Sequence, residues 1–319
     1  MDALSEVLRA VRLEGAFYFH GEFSAPWRIA APGSAVLAPS LSPKAGHLII
    51  FHYLTEGQAS AGLPGGECES LCAGDIVVFP HGDAHLIGNG TAVEPVDPTR
   101  AFADAAIGMA PVRFGGGGEL TKFVCGFMAC QPKLIELLLS GLPRMMKVRV
   151  SSTPSGQWLE NSIRFSVTEA ASSNPGSNLM LTKLSELLFV ETIRSYLAGL
   201  PEGGTGWLAG ARDPVTGHAL TLLHHDPAHP WTVALLARRL GVSRTRLAER
   251  FTRLLGEPPM AYLARWRLRL GAEQLETSDA SIEEIAAAVG YGSAAAFNRA
   301  FRREYDCPPA LYRRRKRGL

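Results

Sequence analysis

The sequence has no apolar run long enough to cross a bilayer, since about 20 consecutive apolar residues are needed and every apolar stretch is interrupted sooner. Its first residues, MDALSEVLRAVRLEGAF, also lack the basic start, apolar centre and small-residue cleavage site of a secretory signal. These absences predict a cytoplasmic protein with no membrane partner.

Cysteine is scarce, with five in 319 residues, and this excludes a disulfide-stabilised scaffold. In a reducing compartment such side chains are thiols, metal ligands or redox sensors. Cys68 and Cys72, in the segment CESLC, lack the spacing of a zinc knuckle. Two alternatives stay open for them, a reversible disulfide or two ordinary thiols. Together with Cys125 they are the redox candidates.

Positive charge is concentrated in the last third of the chain. Residues 217–319 carry 17 Lys+Arg and 10 Asp+Glu, a net charge of +7, whereas the preceding residues have a net charge of −5. All but one of those 17 cations are arginine. An arginine-rich segment on an otherwise acidic chain predicts a polyanionic partner. A solvated surface is the alternative that charge alone leaves open.

Apolar periodicity and turn-forming residues divide the chain into three regions. Residues 1–131 contain short apolar runs between Gly/Pro/Ser clusters, which predicts the strands of a sandwich or small barrel. These runs are 16–19, 48–54, 76–79 and 121–128, and residues 93–118 are predicted to be a long loop. Residues 132–200 have the three- and four-residue apolar spacing of helices, which we expect to dimerise or to relay a signal.

Two segments of the basic region share one pattern, in which a helix, a glycine and a second helix with a serine N-cap follow each other. In WTVALLARRLGVSRTRLAERFTRLLGEPP these residues are Gly241 and Ser243. In SIEEIAAAVGYGSAAAFNRAFRREYDCPP they are Gly290 and Ser293. Two helix-turn-helix units in tandem predict a domain that enters the DNA major groove twice. A helical bundle with charged outer faces is the alternative.

These segments, extended to LARRLGVSRTRLAERFTRLLGEPPMAYL and IEEIAAAVGYGSAAAFNRAFRREYDCPPALYR, resemble the DNA-binding domain of the AraC/XylS family of transcription regulators. The resemblance implies two recognition helices on double-stranded promoter DNA, and RNA polymerase as a further partner of an activator. The side chains expected at the DNA are Arg244, Thr245, Arg246, Arg250, Ser293, Asn298, Arg299 and Arg302. Base-edge contacts and phosphate contacts are not separable at this point.

The stretch GDIVVFPHGDAHLIGN resembles the second cupin motif at each marked position, Gly74, Pro80, Gly82, His85 and Asn89. Cupins are small β-barrels that often hold a metal through histidines, and the resemblance carries the ligand role to His85. The first cupin motif is degenerate, because it has no His-x-His pair and Ile50 replaces the usual glutamate. His52 shares the parity of Ile50, so we expect its side chain to face the barrel interior.

The chain also resembles AraC-type regulators whose N-terminal module is a divergent cupin. The resemblance rests on four segments and on their order along the chain: APWRI, FHYLTEG, FVCGFMA and GWLAGARDPVTGHALTLLHHDP. Some members of this class respond to oxidants such as hypochlorous acid, to electrophiles or to metals. We therefore expect one cluster of His20, His52, His85 and Cys125. Three imidazoles and a thiolate suit Zn²⁺ in a closed tetrahedral site. The alternatives are a core histidine, an exposed His20 and a cysteine that serves as a small buried hydrophobe.

The predicted fold class is an α+β multidomain protein. It has a cupin-like β-barrel at residues 1–131, a helical linker or dimerisation segment at 132–200 and an all-α tandem helix-turn-helix domain at 216–319. The predicted function is a non-enzymatic, one-component transcription regulator that senses a metal, an oxidant or electrophile, or a small molecule, with a homodimer as the expected assembly. A metal-dependent cupin dioxygenase and a purely scaffolding barrel are the alternatives.

Overall fold

A computed structural model describes residues 2–11, 14–43, 45–90, 93–98, 108–130, 132–139, 141–171, 175–201 and 203–317. The chain divides into two compact units. The sheet unit contains residues 12–132 and 142–199, and the helical unit contains residues 1–11, 133–141 and 200–319. The chain therefore passes from one unit to the other four times.

The strands of the sheet unit form two sheets. In chain order they are β1 (Glu14–Ser24), β2 (Trp27–Ala31), β3 (His47–Glu56), β4 (Gln58–Gly62), β5 (Cys68–Cys72), β6 (Asp75–Phe79), β7 (His85–Asn89), β8 (Gly108–Gly115), β9 (Leu120–Cys130) and β10 (Met146–Arg149). One sheet has six strands in the order β10-β6-β3-β9-β1-β8, and the other has four in the order β2-β7-β4-β5. Strand β8 runs parallel to β1, whereas the other ladder pairs of the described residues are antiparallel.

The helices of the described residues are numbered along the whole chain. They are α1 (Ala3–Val11), α2 (Ser34–Leu41), α3 (Pro132–Leu139), α4 (Pro154–Ala171), α5 (Ser177–Gly199), α6 (Trp207–Arg212), α7 (Pro214–His225), α8 (Val233–Leu240), α9 (Arg244–Leu255), α10 (Pro259–Thr277), α11 (Ile282–Ala288), α12 (Ala294–Tyr305) and α13 (Pro309–Arg317). A short 3₁₀ turn, Val150–Ser152, precedes α4. None of the described helices combines the length and the apolar character that a membrane span requires.

Strand β3 lies at the centre of the sheet unit and is apolar along nearly its whole length because both of its faces are buried. One face belongs to the core between the two sheets, where Trp27 stacks on Phe123 at a ring distance of 5.3 Å. Helix α5 packs on the same large sheet along β1, β9 and β10. The predicted strands are confirmed, but the loop prediction for residues 93–118 is wrong at residues 108–115, where β8 pairs with distant β1.

The helical unit contains both predicted helix-turn-helix units. Gly241 follows α8 with φ 67° and ψ 28°, a left-handed conformation that favours glycine, and Gly290 precedes α12 with φ 86°. The Ser243 hydroxyl accepts a hydrogen bond from the Arg246 amide, and Ser293 caps α12 in the same way. The inner faces of the two second helices carry Leu247 and Phe251, and Phe297 and Phe301, all fully buried.

The unit boundaries differ from the predicted domains 1–131, 132–200 and 216–319. Helices α4 and α5 are not a separate segment, because they pack on the sheets, and β10 extends the large sheet by pairing with β6. Helices α1 and α3 belong instead to the helical unit. Helix α1 contacts α7 and buries Ala3 and Val7 there, so the first residues of the chain form part of the helical core.

Candidate functional site

A buried row of polar side chains lies between the two sheets. His52 of β3 and Cys125 of β9 are paired neighbours in the large sheet, and His85 begins β7 of the small sheet. His52 Nδ1 lies 2.7 Å from Cys125 Sγ, and His52 Nε2 lies 2.6 Å from His85 Nε2. His85 Nδ1 lies 2.9 Å from the carbonyl oxygen of Asp83. We call Cys125, His52 and His85 the relay.

The predicted fourth member, His20, is not part of the relay. It pairs with Val124, and Val124 pairs with Tyr53, whereas Phe19 pairs with Cys125. Directly paired residues of neighbouring strands point to the same side of a sheet, so His20 lies on the opposite face from Cys125. The cause is a bulge between Phe17 and Phe19, which shifts the parity of β1 by one residue. The prediction of a four-residue cluster is therefore wrong at His20.

The three remaining donors do not converge on one point. His52 directs one ring nitrogen to Cys125 and the other to His85, and the two nitrogens of one imidazole point away from each other. A single ion binds one of them at most. Among the described residues no group of three or more His, Cys, Asp or Glu side chains is arranged to hold a metal ion. The arrangement does not fit the closed tetrahedral zinc site predicted from the sequence, and zinc stays a prediction.

The direction of every hydrogen bond in the relay follows from its last partner. A backbone carbonyl only accepts, so His85 Nδ1 carries a proton and donates it to Asp83. A neutral His85 then has a bare Nε2, which accepts from a protonated His52 Nε2. A neutral His52 in turn has a bare Nδ1, which accepts from the Cys125 thiol. One uncharged arrangement therefore satisfies all three side chains, and it places a base next to a thiol.

Burial keeps this row uncharged at neutral pH. It lowers the pKa of His52 well below the ordinary value, and the neighbouring His85 lowers it further. It also lowers the pKa of His85 to about 4 and raises the pKa of the Cys125 thiol. Cys125 is therefore a thiol at rest.

The turn before β7 holds the acceptor of the relay in place. Gly82 has φ 66°, and a Cβ there would lie 2.4 Å from Cβ of Ser34 and 2.7 Å from the carbonyl oxygen of Leu48. The Ser34 amide donates to the Gly82 carbonyl over 2.7 Å. The ring of Phe79 stacks on His85 at 3.7 Å. The glycine of the cupin-like motif is thus required by a close backbone approach, and the aromatic ring fixes the plane of the imidazole.

Cys68 and Cys72 do not form a disulfide with each other within one chain. They lie four residues apart on the single strand β5, which separates their Cα atoms by about 13 Å, whereas a disulfide needs less than about 7 Å. Their partners on β4 are Gly62 and Gln58. The disulfide alternative is therefore wrong, and both side chains are exposed thiols.

Most of the predicted DNA-contacting side chains are exposed on the two second helices. Arg244, Thr245 and Arg246 lie on the first turn of α9, and Arg299 and Arg302 lie on α12. Ser293 caps α12, and Asn298 of the same helix donates its side-chain amide to the Ala294 carbonyl over 3.1 Å. The exposed cations are available to DNA, whereas the Asn298 amide already has a partner within its own helix.

Arg250 has a different role from the one predicted. Its Nε lies 2.8 Å and its Nη2 2.6 Å from Oδ2 of Asp213, in an ion pair with the N-cap of α7. The same carboxylate accepts from the amides of Val215 and Thr216. Burial alone would raise the pKa of Asp213, but the hydrogen bonds from Arg250 and Thr216 and the positive charge of Arg250 together outweigh it and lower this pKa. Arg250 therefore fixes α9 to α7.

The sequence did not predict two groups of these sites, the carbonyl of Asp83 and the carboxylate of Asp213. The acceptor that orients the relay is the backbone of Asp83, and no side-chain pattern indicates a backbone acceptor. Asp213, which precedes Pro214, has the Asp-Pro signal of a helix start. That signal identifies the N-cap, but the partner Arg250 lies 37 residues away and has no local signature.

Known proteins resemble both units. A family model described as cupin matches residues 2–198, and a model described as a helix-turn-helix domain matches residues 236–315. An AraC-like transcription regulator of Streptomyces lividans is 36% identical over 244 residues, which cover 76% of this chain and 79% of that protein. The transcriptional regulator AlkR of Acinetobacter baylyi is 29% identical, over 98% of this chain and 99% of that protein. The RCS-specific transcriptional activator RclR of Escherichia coli is 27% identical, over 100% of this chain and 99% of that protein.

Proposed function

The chain belongs to the AraC-like transcription regulators that carry an N-terminal cupin domain, and we propose that its cupin domain senses a small oxidant through Cys125. The helical unit, with its tandem helix-turn-helix units, binds DNA. The observation that carries the proposal is the Cys125–His52–His85 row, in which a thiol donates to a base within the buried core between the two sheets. The relative named RCS-specific supports an oxidant as the input.

The relay supplies the proton acceptor that thiol oxidation needs. Sulfur attacks the chlorine of hypochlorous acid as the thiol proton moves to His52 Nδ1, and the hydroxide that leaves takes up that proton as water. The sulfenyl chloride then reacts with water to give a sulfenic acid, chloride and a proton. Overall, the thiol and HOCl become the sulfenic acid and HCl, so sulfur loses two electrons and chlorine gains them. Passing a proton from His52 Nε2 to His85 spreads the developing positive charge over two rings.

The burial of the relay selects the class of oxidant. The exposed fractions of His52, His85 and Cys125 are 2%, 1% and 5%. A charged or bulky oxidant such as a peptide disulfide would lose its hydration and displace packed side chains on entry. A small neutral molecule avoids both costs. We therefore assign hypochlorous acid or a molecule of similar size and charge as the input.

Strand β9 gives a short covalent route from the relay to the DNA-binding unit. It ends at Cys130, α3 begins at Pro132, and α3 is part of the helical unit. There the Glu136 carboxylate on α3 pairs with Arg269 of α10 over 3.1 Å. An oxygen atom added to Cys125 overfills a packed core, which costs about 1–3 kcal/mol. That strain biases β9, and through it α3, between two arrangements of different DNA affinity.

Oxidation kinetics test the input. Purified full-length protein is treated with hypochlorite, and sulfenic acid is trapped with dimedone and located by mass spectrometry. We expect label at Cys125 and much less at Cys130, a buried thiol of the same strand whose partner is the His47 carbonyl. His52→Phe should slow labelling of Cys125, whereas His81→Gln, which alters an imidazole bonded to a backbone carbonyl, should not. Equal labelling of Cys125 and Cys130 would contradict the proposal.

Zinc is the competing occupant of the same side chains. The two Nε2 atoms of His52 and His85 face each other, as two imidazoles do when they share an ion. Zinc binding with Cys125 as the third ligand would require the His52 ring to turn. Metal analysis of protein purified without chelator decides between the two inputs. About one zinc per chain, lost with His85→Ala, would support a metal-thiolate sensor, and substoichiometric zinc would support the uncharged relay.

A homodimer is proposed through the outer faces of α4 and α5. Trp158 and Phe165, seven residues apart on α4, are 60% and 65% exposed, and Leu179 and Leu187 of α5 are also exposed. Exposed apolar side chains of this size are typical of a protein interface. Phe165→Lys should convert dimer to monomer in sedimentation experiments. Val36→Lys, at a residue that is equally exposed but lies on α2, is the matched control and should leave the mass unchanged.

A promoter as the DNA partner leads to two further proposals, which concern RNA polymerase and the location of the protein. We propose an activator that recruits RNA polymerase, in the compartment that contains DNA. The cupin dioxygenase is the weaker candidate, because the relatives are transcription regulators and the relay has no carboxylate donor. Turnover assays with the metal-loaded protein and oxygen test whether any catalytic activity is present.

A further inference from the structure

Glu249 is the one carboxylate on α9, whose other charged side chains are Arg244, Arg246, Arg250 and Arg253. An acidic residue on the second helix of a DNA-binding unit is repelled by the phosphate backbone, so its position on the helix matters. Glu249 is exposed, and the structure gives it no hydrogen bond or ion pair among the described residues. Its charge is therefore not explained by a structural partner.

The helix geometry places Glu249 directly opposite the core. It lies two residues after Leu247 and two before Phe251, and both of those side chains are fully buried. Two residues turn an α-helix by about 200°, so Glu249 lies at the outer pole of α9. Its neighbours on this face, at three and four residues, are Thr245 and Arg246 before it and Thr252 and Arg253 after it. A recognition helix lies in the major groove with its exposed face towards the bases, and Glu249, in the first half of α9, lies on that face.

The same pole of α12 carries a residue of opposite charge. Phe297 and Phe301 are the buried counterparts of Leu247 and Phe251, so Arg299 is the counterpart of Glu249. Arg299 is exposed as well. The two helices therefore present a carboxylate and a guanidinium at equivalent positions, and they must read different bases.

The chemistry of a carboxylate selects among the bases. An ionised Glu only accepts hydrogen bonds, so it is repelled by guanine, whose major-groove edge has only acceptors, and finds no donor on thymine. Cytosine offers its N4 amino group with no acceptor beside it, whereas adenine pairs its N6 amino group with the N7 acceptor. From this we infer that Glu249 reads a cytosine in the half-site bound by α9.

The inference rests on DNA binding by the helical unit and is tested by selecting bound duplexes from a randomised pool with the full chain. The wild-type protein should enrich a motif with cytosine at one position of one half-site. A contact of this kind discriminates between bases by about fivefold to 150-fold. Glu249→Gln should move the preference at that position to adenine, and Glu249→Ala should abolish it, while the half-site bound by α12 stays unchanged.

Matched controls separate base reading from loss of charge or of fold. Glu283→Gln removes an exposed acid from α11 and should leave the whole motif unchanged. Arg299→Ala should erase a preference in the other half-site only. A wild-type motif that Glu249→Ala leaves intact overturns the assignment of Glu249 alone. A wild-type protein that enriches no motif overturns sequence reading by both helices, and with it this assignment.

Discussion

The ion pair between Arg250 and Asp213 leads to a prediction that separates a structural arginine from a DNA contact. From the sequence Arg250 is expected at the DNA, but the structure directs its guanidinium to the N-cap of α7. The two roles predict different salt dependence. Each phosphate contact contributes a slope of about −0.9 to the plot of log affinity against log salt concentration. Arg250→Gln should therefore leave this slope unchanged, whereas exposed Arg246→Gln should reduce it by about 0.9.

Two variants of Asp213 complete the experiment. A carboxylate makes no phosphate contact, so changing Asp213 removes the ion pair with Arg250 without removing a contact to DNA. Asp213→Asn keeps an oxygen for the amides of Val215 and Thr216 but loses the charge, so it should resemble Arg250→Gln. Asp213→Ala also loses the cap and should lower the free energy of unfolding by about 1 kcal/mol. The pKa of Asp213 lies below the ordinary value of an aspartate, so the ion pair contributes its full stability above that ordinary value and loses it as the pH falls through the lowered pKa.

Fluorescence anisotropy on a duplex from the selected pool, measured from 50 to 300 mM salt, gives the slopes. Chemical unfolding gives the stabilities. The reasoning would be refuted if Arg250→Gln reduced the slope as much as Arg246→Gln while Asp213→Asn left affinity, slope and stability unchanged. That combination would mean that Arg250 leaves its partner and binds a phosphate.

Three further predictions concern stability and thiol chemistry. Burial lowers the pKa of His224 to about 3, so only the unfolded chain takes up this proton between pH 6.5 and 3. His224 should therefore contribute a loss of about 1.4 kcal/mol per pH unit to the fall in stability on acidification, beside the contributions of His52 and His85, and His224→Gln should remove its share in urea unfolding. Gly241→Ala should lower the free energy of unfolding by about 1 kcal/mol, because the new side chain has to adopt a positive φ while no atom lies within 4 Å of its Cβ. Gly292→Ala is the control in thermal unfolding, because its Cβ is equally unobstructed and its φ is ordinary. In the native protein two of the five thiols, Cys68 and Cys72, should react at once with a thiol reagent. Immediate reaction of three or more would contradict the burial of Cys125, Cys130 and Cys307.

Local rules were sufficient for the helix-turn-helix units. A glycine with positive φ and a serine N-cap act within a few residues, so Gly241, Ser243, Gly290 and Ser293 could be assigned from the sequence. The inward direction of His52 followed from strand parity, because β3 has no irregularity between Ile50 and His52. The burial of Leu247, Phe251, Phe297 and Phe301 likewise followed from helical spacing.

The errors concern residues whose role depends on distant partners or on an irregular backbone. The bulge in β1 reverses the direction of His20, and nothing in AFYFHGEF marks which residue is left unpaired. Strand β8 exists because β1 offers it a pairing edge, although its own sequence, GMAPVRFG, contains a proline and begins and ends with glycine. Arg250 is expected at the DNA because it is a cation on a recognition helix, but tertiary packing brings its guanidinium to Asp213 instead. In each of these three cases a partner distant in the sequence determines the structure, and the local sequence pattern does not indicate that partner.

The central claim is that the state of Cys125 controls DNA binding by the helical unit. The most direct test measures affinity for a selected duplex before and after stoichiometric hypochlorite, in wild-type protein and in Cys125→Ser. We predict that oxidation changes the wild-type affinity by about 5- to 150-fold, the usual range of coupling between two sites, and that a reductant reverses it. Cys125→Ser should not respond. An equal response of both proteins, or none in the wild type, would contradict the account.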